Sequence, residues 1–344
     1  MKMNATYLKP NSSQRPSGYE AATGSSKTSS GFTLVEMLVV IAIIGILVGL
    51  TLPAIRNAIE TARTGAVRAE ITALVSAIDQ YNQTHGDYPP DFTSNAVVTR
   101  HYNKLFPRMG AIDRGLLTDL ISAGDMSQAE VLFWCLGGYS DDKQRPFTGP
   151  GGPLELTGSD ATDLSNYRAN QDRPNKLYDF KPGRLVTSDD DDIHPMYIII
   201  EEGGPFVYFD SRTYGNPNNS FSGTGHGMAR PYISDQANVN TGGNYPSLQA
   251  SLAAWNFMKP DTFQLIAPGL DGGFGRGPST TTRTVYFQYP TGRAIEPSTS
   301  VDNAQDLLVV GVSRFSETSI GGENLHADNL TNFADSRLID DLRE

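Results

Sequence analysis

One ionisable residue stands inside an apolar run: Glu36, in SSGFTLVEMLVV (29–40). An ionised carboxylate at mid-membrane costs on the order of a few kcal/mol, so it is retained where it has a partner. The other reading places Glu36 at the membrane interface, where the cost is small; position alone leaves both open. Elsewhere the residue spacings are poor in chemistry. The five histidines (85, 101, 194, 226 and 326) are scattered and form no H-E-x-x-H. GTGHGM (223–228) and GGFGRG (272–277) do not complete a dinucleotide or P-loop fingerprint. There is no G-x-S-x-G elbow. Cys135, within VLFWCLGG, reads as a small buried apolar residue, not a nucleophile. His226 reads as an exposed loop residue. SDDDD (188–192) reads as a solvated acidic loop, with a metal site as its rival reading.

Stepping out to the chain that must position these groups, 344 residues suffice for one large or two ordinary domains. Gly (34) and Pro (21) are abundant, which predicts many turns and short strands. The net charge is −11. Residues 1–31 hold four basic residues against Glu20, a balance of +3 that leaves −14 downstream. So acidic a body lacks the clustered Lys and Arg that neutralise phosphates, and no nucleic-acid partner is expected. A single cysteine cannot form an intrachain disulfide.

Residues 1–30 are rich in Ser, Thr, Asn, Gly and Pro and have no apolar period, as in a disordered leader. Phe32 to Leu52 is apolar except for Thr33, Glu36 and Thr51, long enough to cross a bilayer as a helix. The run exceeds an ordinary secretory signal and LTLPAIRNA offers no good cleavage site. After Pro53, which should kink the helix, Ile55, Ile59, Ala62, Ala66, Ala69, Ile71, Leu74, Val75, Ile78 and Tyr81 recur at three- and four-residue steps. HGDYPPD (85–91) stops the pattern, with Gly86 as its cap. One helix of about 50 residues is therefore predicted. Beyond residue 90 helical signals are weak: MSQAEVLFWCLGG (126–138), capped by Ser127, is the best, and 245–258 is a second. Residues 139–192 read as loop. MYIIIEE, GPFVYFDS, TFQLIAPG, TRTVYFQYP and DLLVVGVS read as short strands.

GFTLVEMLVVIAIIGILVGLTLP, with the amphipathic continuation and YNQTHGDYPPDF, resembles the N-terminus of type IV pilins and type II secretion pseudopilins, the major pseudopilin especially. The large head resembles the large-headed, planctomycete-type members. The resemblance implies an α+β pilin-like fold: a long kinked helix packed on a C-terminal antiparallel sheet, with a loop-rich insert at about 95–260. Its segments would be a leader (1–31), a transmembrane helix (32–53), an amphipathic helix (54–86) and a periplasmic head (87–344). It implies a non-enzymatic subunit, cut between Gly31 and Phe32 by a prepilin peptidase and methylated on Phe32. Glu36 would pair with the Phe32 amino group of a neighbouring subunit. Such a pair penalises wrong stagger, because a mismatch leaves both charges unpaired. Gly45 and Gly49 add a G-x-x-x-G face. The implied partners are sister subunits, an assembly ATPase and an inner-membrane platform.

FQLIAPGLDGGFG (263–275) and HADNLTNFADS (326–336) resemble the two segments that hold calcium in major pseudopilins. Asp271 and Asp328 would be the side-chain ligands, with carbonyls near Ile266 and Leu330. Ca²⁺ takes six to eight hard oxygens and would secure the loops of a chain without a disulfide. Asp-Gly is also a common turn and Asp-Asn a routine cap, and VDNAQDLL (301–308) is a competing acidic segment. The rival reading of the whole chain is a membrane-anchored ligand-binding or hydrolytic head that uses the helix only as an anchor.

Overall fold

The computed structural model describes residues 31–124, 126–187, 193–199, 203–223, 225–238, 244–274, 285–301, 304–308, 315 and 327–342. The leader, SDDDD, His326 and most of DLLVVGVS therefore lie outside the described residues. The chain divides into two units, 1–56 and 57–344.

Helix α1 runs from Leu34 to His85, 52 residues, without interruption at Pro53. In the first unit it has no core. Every large apolar side chain from Phe32 to Leu52 that qualifies as such is exposed, and the most apolar stretch has a mean hydropathy of 2.8 with none of it buried. The helix stops where its sequence demands. Gly86 adopts φ +71° and donates its N–H to the Asn82 carbonyl at 2.7 Å, a left-handed cap that a side chain would strain.

In the second unit, burial on α1 begins at Val67 and continues through Ile71, Leu74, Ala77, Ile78 and Tyr81. The stripe expected from Ile55 onward is thus only half realised: Ile55, Ile59, Ala62, Ala66 and Ala69 are exposed. Helical period alone gives no information on where along a helix the partner begins. The buried part enters a core shared with α2 (Asn95–Leu105), α3 (Ala111–Ala123) and α4 (Val131–Leu136). Each of Leu74, Ile78 and Tyr81 is wholly buried, and each such side chain contributes roughly 1.5–3 kcal/mol by leaving water.

Helices α2 and α3 correct the expectation of a loop-rich insert. Their apolar residues Val98, Tyr102, Leu116, Leu117 and Leu120 fall at helical spacing, obscured by the β-branched run in NAVVTRH and by Gly115. Helix α4 is shorter than expected and buried throughout, Cys135 included. Ser127 does not cap it through its hydroxyl; instead Glu130 accepts the Ser127 N–H at 2.5 Å. Of the helix expected over 245–258, only Leu248–Leu252 forms one, α5, and Trp255–Phe257 is a strand.

The strands are β1 (Leu154–Leu156), β2 (Tyr167–Ala169), β3 (Leu185–Val186), β4 (Met196–Tyr197), β5 (Val207–Asp210), β6 (Phe221–Gly223) and β7 (Gly227–Ala229). They continue with β8 (Ile233–Ala237), β9 (Trp255–Phe257), β10 (Phe263–Ala267), β11 (Tyr286–Tyr289), β12 (Ala294–Ile295) and β13 (Leu330–Thr331). Two sheets matter most: β13-β10-β5, wholly antiparallel, and β12-β11-β8-β9. In the second, β8 and β11 run parallel, so the sheet-rich part is not uniformly antiparallel as expected. Ala304–Leu307 is a 3-10 turn that takes in the first two residues of the strand expected at DLLVVGVS.

Strand β10 shows why the first sheet is central. Phe263, Leu265 and Ala267 enter the core containing α1, while Ile266 enters a second core with Val207, Phe209, Phe221 and Phe274. Gln264, on that second face, binds the Tyr232 and Met258 carbonyls and the Tyr232 N–H. Alternation with period two thus splits one strand between two cores.

Candidate functional site

The residues singled out by sequence fall into two sites, one in each unit. In the first, Thr33 and Glu36 form a reciprocal cap on α1. The Thr33 N–H and hydroxyl both donate to Glu36 Oε2 at 2.8 Å, and the Glu36 N–H donates to Thr33 Oγ1 at 3.2 Å. T-x-x-E ahead of an apolar run is a capping-box pattern, so Thr33 was readable from sequence but passed over as a mere polar interruption. The cap places an acid in the first turn, where the helix dipole favours it. Both donors are neutral, however, and Glu36 makes no ion pair among the described residues. Phe32 and Glu36 are exposed, and an added Cβ at Gly31, Gly45 or Gly49 would meet nothing within 4 Å. No packing among the described residues requires glycine at those three positions.

In the second unit, β10 and β13 pair with Ile266 opposite Thr331 and Ala267 opposite Leu330. This register brings the loop after β10 and the segment before β13 to one end of the sheet, and with them Asp271 and Asp328. Gly269 lies so close to Asp328 that a Cβ would stand 1.8 Å from Oδ2. Asp328 Oδ1 is buried and has no hydrogen-bond partner among the described residues. Burial, and next the negative charge of Asp271, push the Asp328 carboxyl up to about 6, while backbone groups of Asp271, Asp328 and Leu270 oppose the rise. Asp271 itself is exposed and accepts the Gly273 N–H at 2.8 Å, the Asp-Gly turn that its sequence allowed. Ile266 and Leu330, named as carbonyl donors, are both engaged in the paired strands. Among the described residues no three of His, Cys, Asp and Glu gather at one metal position. Two carboxylates and loop carbonyls are what this place offers, a hard-oxygen set of the kind that suits Ca²⁺. Asp306, in the competing segment, is exposed and sits in a 3-10 turn.

The remaining candidates are structural. The Cys135 thiol is pushed up to about 11 by burial, which keeps it protonated and unreactive. His101 is buried with Nε2 2.8 Å from the Tyr81 hydroxyl; its Nδ1 has no hydrogen bond and lies 3.7 Å from Asp87. Burial lowers this imidazole to about 4, against a smaller opposing effect of Asp87. Sequence reasoning did not find the polar knot behind HGDYPPD. Buried Asp91 accepts from the N–H groups of Thr93 and Asp210 and from Asn219, all at 3.1 Å, and from the Thr213 hydroxyl. Arg212 binds Asp210, Asp87 and the Tyr88 carbonyl. Glu70 on α1 accepts from Tyr178, Tyr197 and Arg184, which together outweigh burial and leave its carboxyl below the ordinary value.

Residues 26–52 match the family model of the prokaryotic N-terminal methylation motif. The chain is pilin-like. It is similar to the type IV major pilin protein PilE of Neisseria gonorrhoeae, 33% identical over 101 residues, which are 28% of this chain and 59% of that pilin. It is also similar to a fimbrial protein of Neisseria meningitidis serogroup B, 42% identical over 71 residues, 20% of this chain and 41% of the relative. The type II secretion system core protein G of Pseudomonas aeruginosa is 35% identical over 63 residues, 18% of this chain and 44% of the relative. The pilin-like chain thus spans about two fifths to three fifths of the curated relatives it matches. No solved structure matches it. The long apolar helix followed by a sheet-rich part makes the fold α+β, consistent with a pilin fold.

Proposed function

We propose that the chain is a structural subunit of a type IV pilus or type II secretion pseudopilus. A prepilin peptidase cuts it between Gly31 and Phe32 and methylates Phe32. Before assembly the helix holds it in the inner membrane with its head in the periplasm; an assembly ATPase and a membrane platform then drive polymerisation. The observation that carries this reading is Glu36, a charge within the exposed apolar stretch of α1, whose bonded donors among the described residues are the neutral groups of Thr33. A carboxylate so placed in lipid calls for a cation from outside its own chain, and a neighbour's new amino terminus supplies one. The glycines that meet nothing among the described residues leave room for a second helix to approach. Mass spectrometry of the mature chain tests the processing: any amino terminus other than methylated Phe32 overturns it.

The same reading extends to calcium at Asp271 and Asp328. What supports it is a buried, unpartnered Asp328 oxygen beside a second carboxylate that raises its proton affinity. The ion would neutralise both carboxylates and tie the loop after β10 to the segment before β13. Calorimetric titration of the detergent-solubilised full chain with CaCl₂ tests it: no binding by the wild type overturns the calcium reading.

A further inference from the structure

The turn that carries Asp271 is gripped by a part of the head that the pilin-like N-terminus does not account for. The Gly272 carbonyl accepts two hydrogen bonds, from the Gly204 N–H at 2.8 Å and from His226 Nδ1 at 3.2 Å. Because a carbonyl can only accept, Nδ1 carries the proton in this contact. One residue further along, the Phe274 N–H donates to the His226 carbonyl at 2.7 Å, so His226 holds the turn through both its ring and its backbone. The Phe274 ring is wholly buried and packs edge-on against Phe221 of β6, at 5.8 Å between centroids. On the opposite side Gly204 approaches so closely that a Cβ would lie 2.9 Å from the Gly272 oxygen. The turn also closes on itself, Gly272 N–H to Gly269 carbonyl at 3.0 Å, with Gly272 at φ +77°.

His226 sits in the connection between β6 and β7, within the insert and 46 residues before Gly272. We propose that His226 is a positioning residue: the β6–β7 hairpin fixes the Asp271 turn so that its carboxylate is presented toward Asp328 for cation binding. This inference rests on the calcium reading given above. Asp271 is exposed and, among the described residues, its carboxylate accepts one hydrogen bond, from the Gly273 N–H of its own turn, so the turn's backbone orients it. The backbone in turn is set by the groups that hold Gly272 and Phe274. Groups that orient metal ligands without touching the metal typically govern about 10- to 100-fold in affinity.

The test is Ca²⁺ titration of the detergent-solubilised full chain, with thermal unfolding in EDTA as a second readout. His226→Leu removes the ring donor, His226→Asn restores a donor at the Nδ1 position, and Asp328→Asn removes a proposed ligand. We expect His226→Leu to weaken Ca²⁺ binding at least about 10-fold, with His226→Asn close to wild type and all three variants unfolding in EDTA near the wild-type temperature or above. Unaltered binding by His226→Leu, with binding lost in Asp328→Asn, overturns the positioning role and leaves the calcium reading standing. A wild type that binds no Ca²⁺ overturns both. Equal loss in His226→Leu and His226→Asn, with both unfolding earlier in EDTA, shows general damage to the fold and likewise overturns the positioning role.

Discussion

Helix α1 solves the same problem, what to do with an apolar side chain, in two opposite ways along its length. From Phe32 to Ile59 its large apolar side chains stand exposed, while from Val67 to Tyr81 one stripe is buried by the head and the polar residues face out. The first stretch is apolar all round as far as Leu52 and carries a single acid; the second is amphipathic and pins one of its two acids, Glu70, to Tyr178, Tyr197 and Arg184. A helix apolar on every side is made for lipid or for copies of itself, and an amphipathic one for its own core. The comparison puts folding stability in the second stretch, and under the proposed function it puts self-association in the first.

That contrast can be broken most decisively by one substitution in each stretch. Glu36→Ala should abolish filament formation, seen by shearing and electron microscopy, while thermal unfolding of the head is unchanged; normal filaments would refute the assembly role. In the buried stretch, Leu74→Ala should cost about 2–5 kcal/mol by opening a cavity, measured by denaturant unfolding. Ile44→Ala, in the exposed stretch, should leave that measurement unchanged.

A subtler lever is pH. His101 is lowered to about 4 from 6.5, so between those values the unfolded chain binds more protons than the folded one. Its contribution is intact above about pH 6.5 and is lost as pH falls, reaching about 3 kcal/mol near pH 4. Asp210, pushed up to about 6 by burial, works in the opposite sense, gaining protons in the folded state first. Comparing His101→Asn with the wild type isolates the histidine: the variant should lose less stability between pH 6.5 and 4. Smallest of all, Asp113→Asn should cost about 1–3 kcal/mol, since buried Asp113 accepts the N–H groups of Phe147 and Thr148 and the Thr148 hydroxyl, and an amide leaves donors unmet.

What the sequence disclosed follows from the range of the interactions involved. The helix from 34 to 85, its glycine cap and the buried Cys135 rest on local period and turn chemistry, and all were legible. Strands β5, β10 and β11 were legible from their β-branched and aromatic runs. Helices α2 and α3 were missed because β-branched residues and an internal glycine weaken a pattern that tertiary burial of Val98, Tyr102 and Leu116 restores. The Asp91 knot joins residues more than a hundred positions apart, and no spacing rule reaches that far. At the candidate cation place, likeness to known segments supplied Asp271 and Asp328, but nothing near Asp271 in sequence pointed to His226.

Strand β10 has a consequence for how the head can change over time. Its residues serve two cores on alternate faces, so a one-residue slip would exchange Phe263, Leu265 and Ala267 for Gln264 and Ile266 in both cores at once. Length changes are therefore barred from this strand and relegated to the connections around it. The chain between β5 and β10 and between β11 and β13 lies outside the register of this strand, so a change of length there leaves its pairing intact. A subunit built this way can acquire a new outer surface while keeping its helix and its central sheet in register.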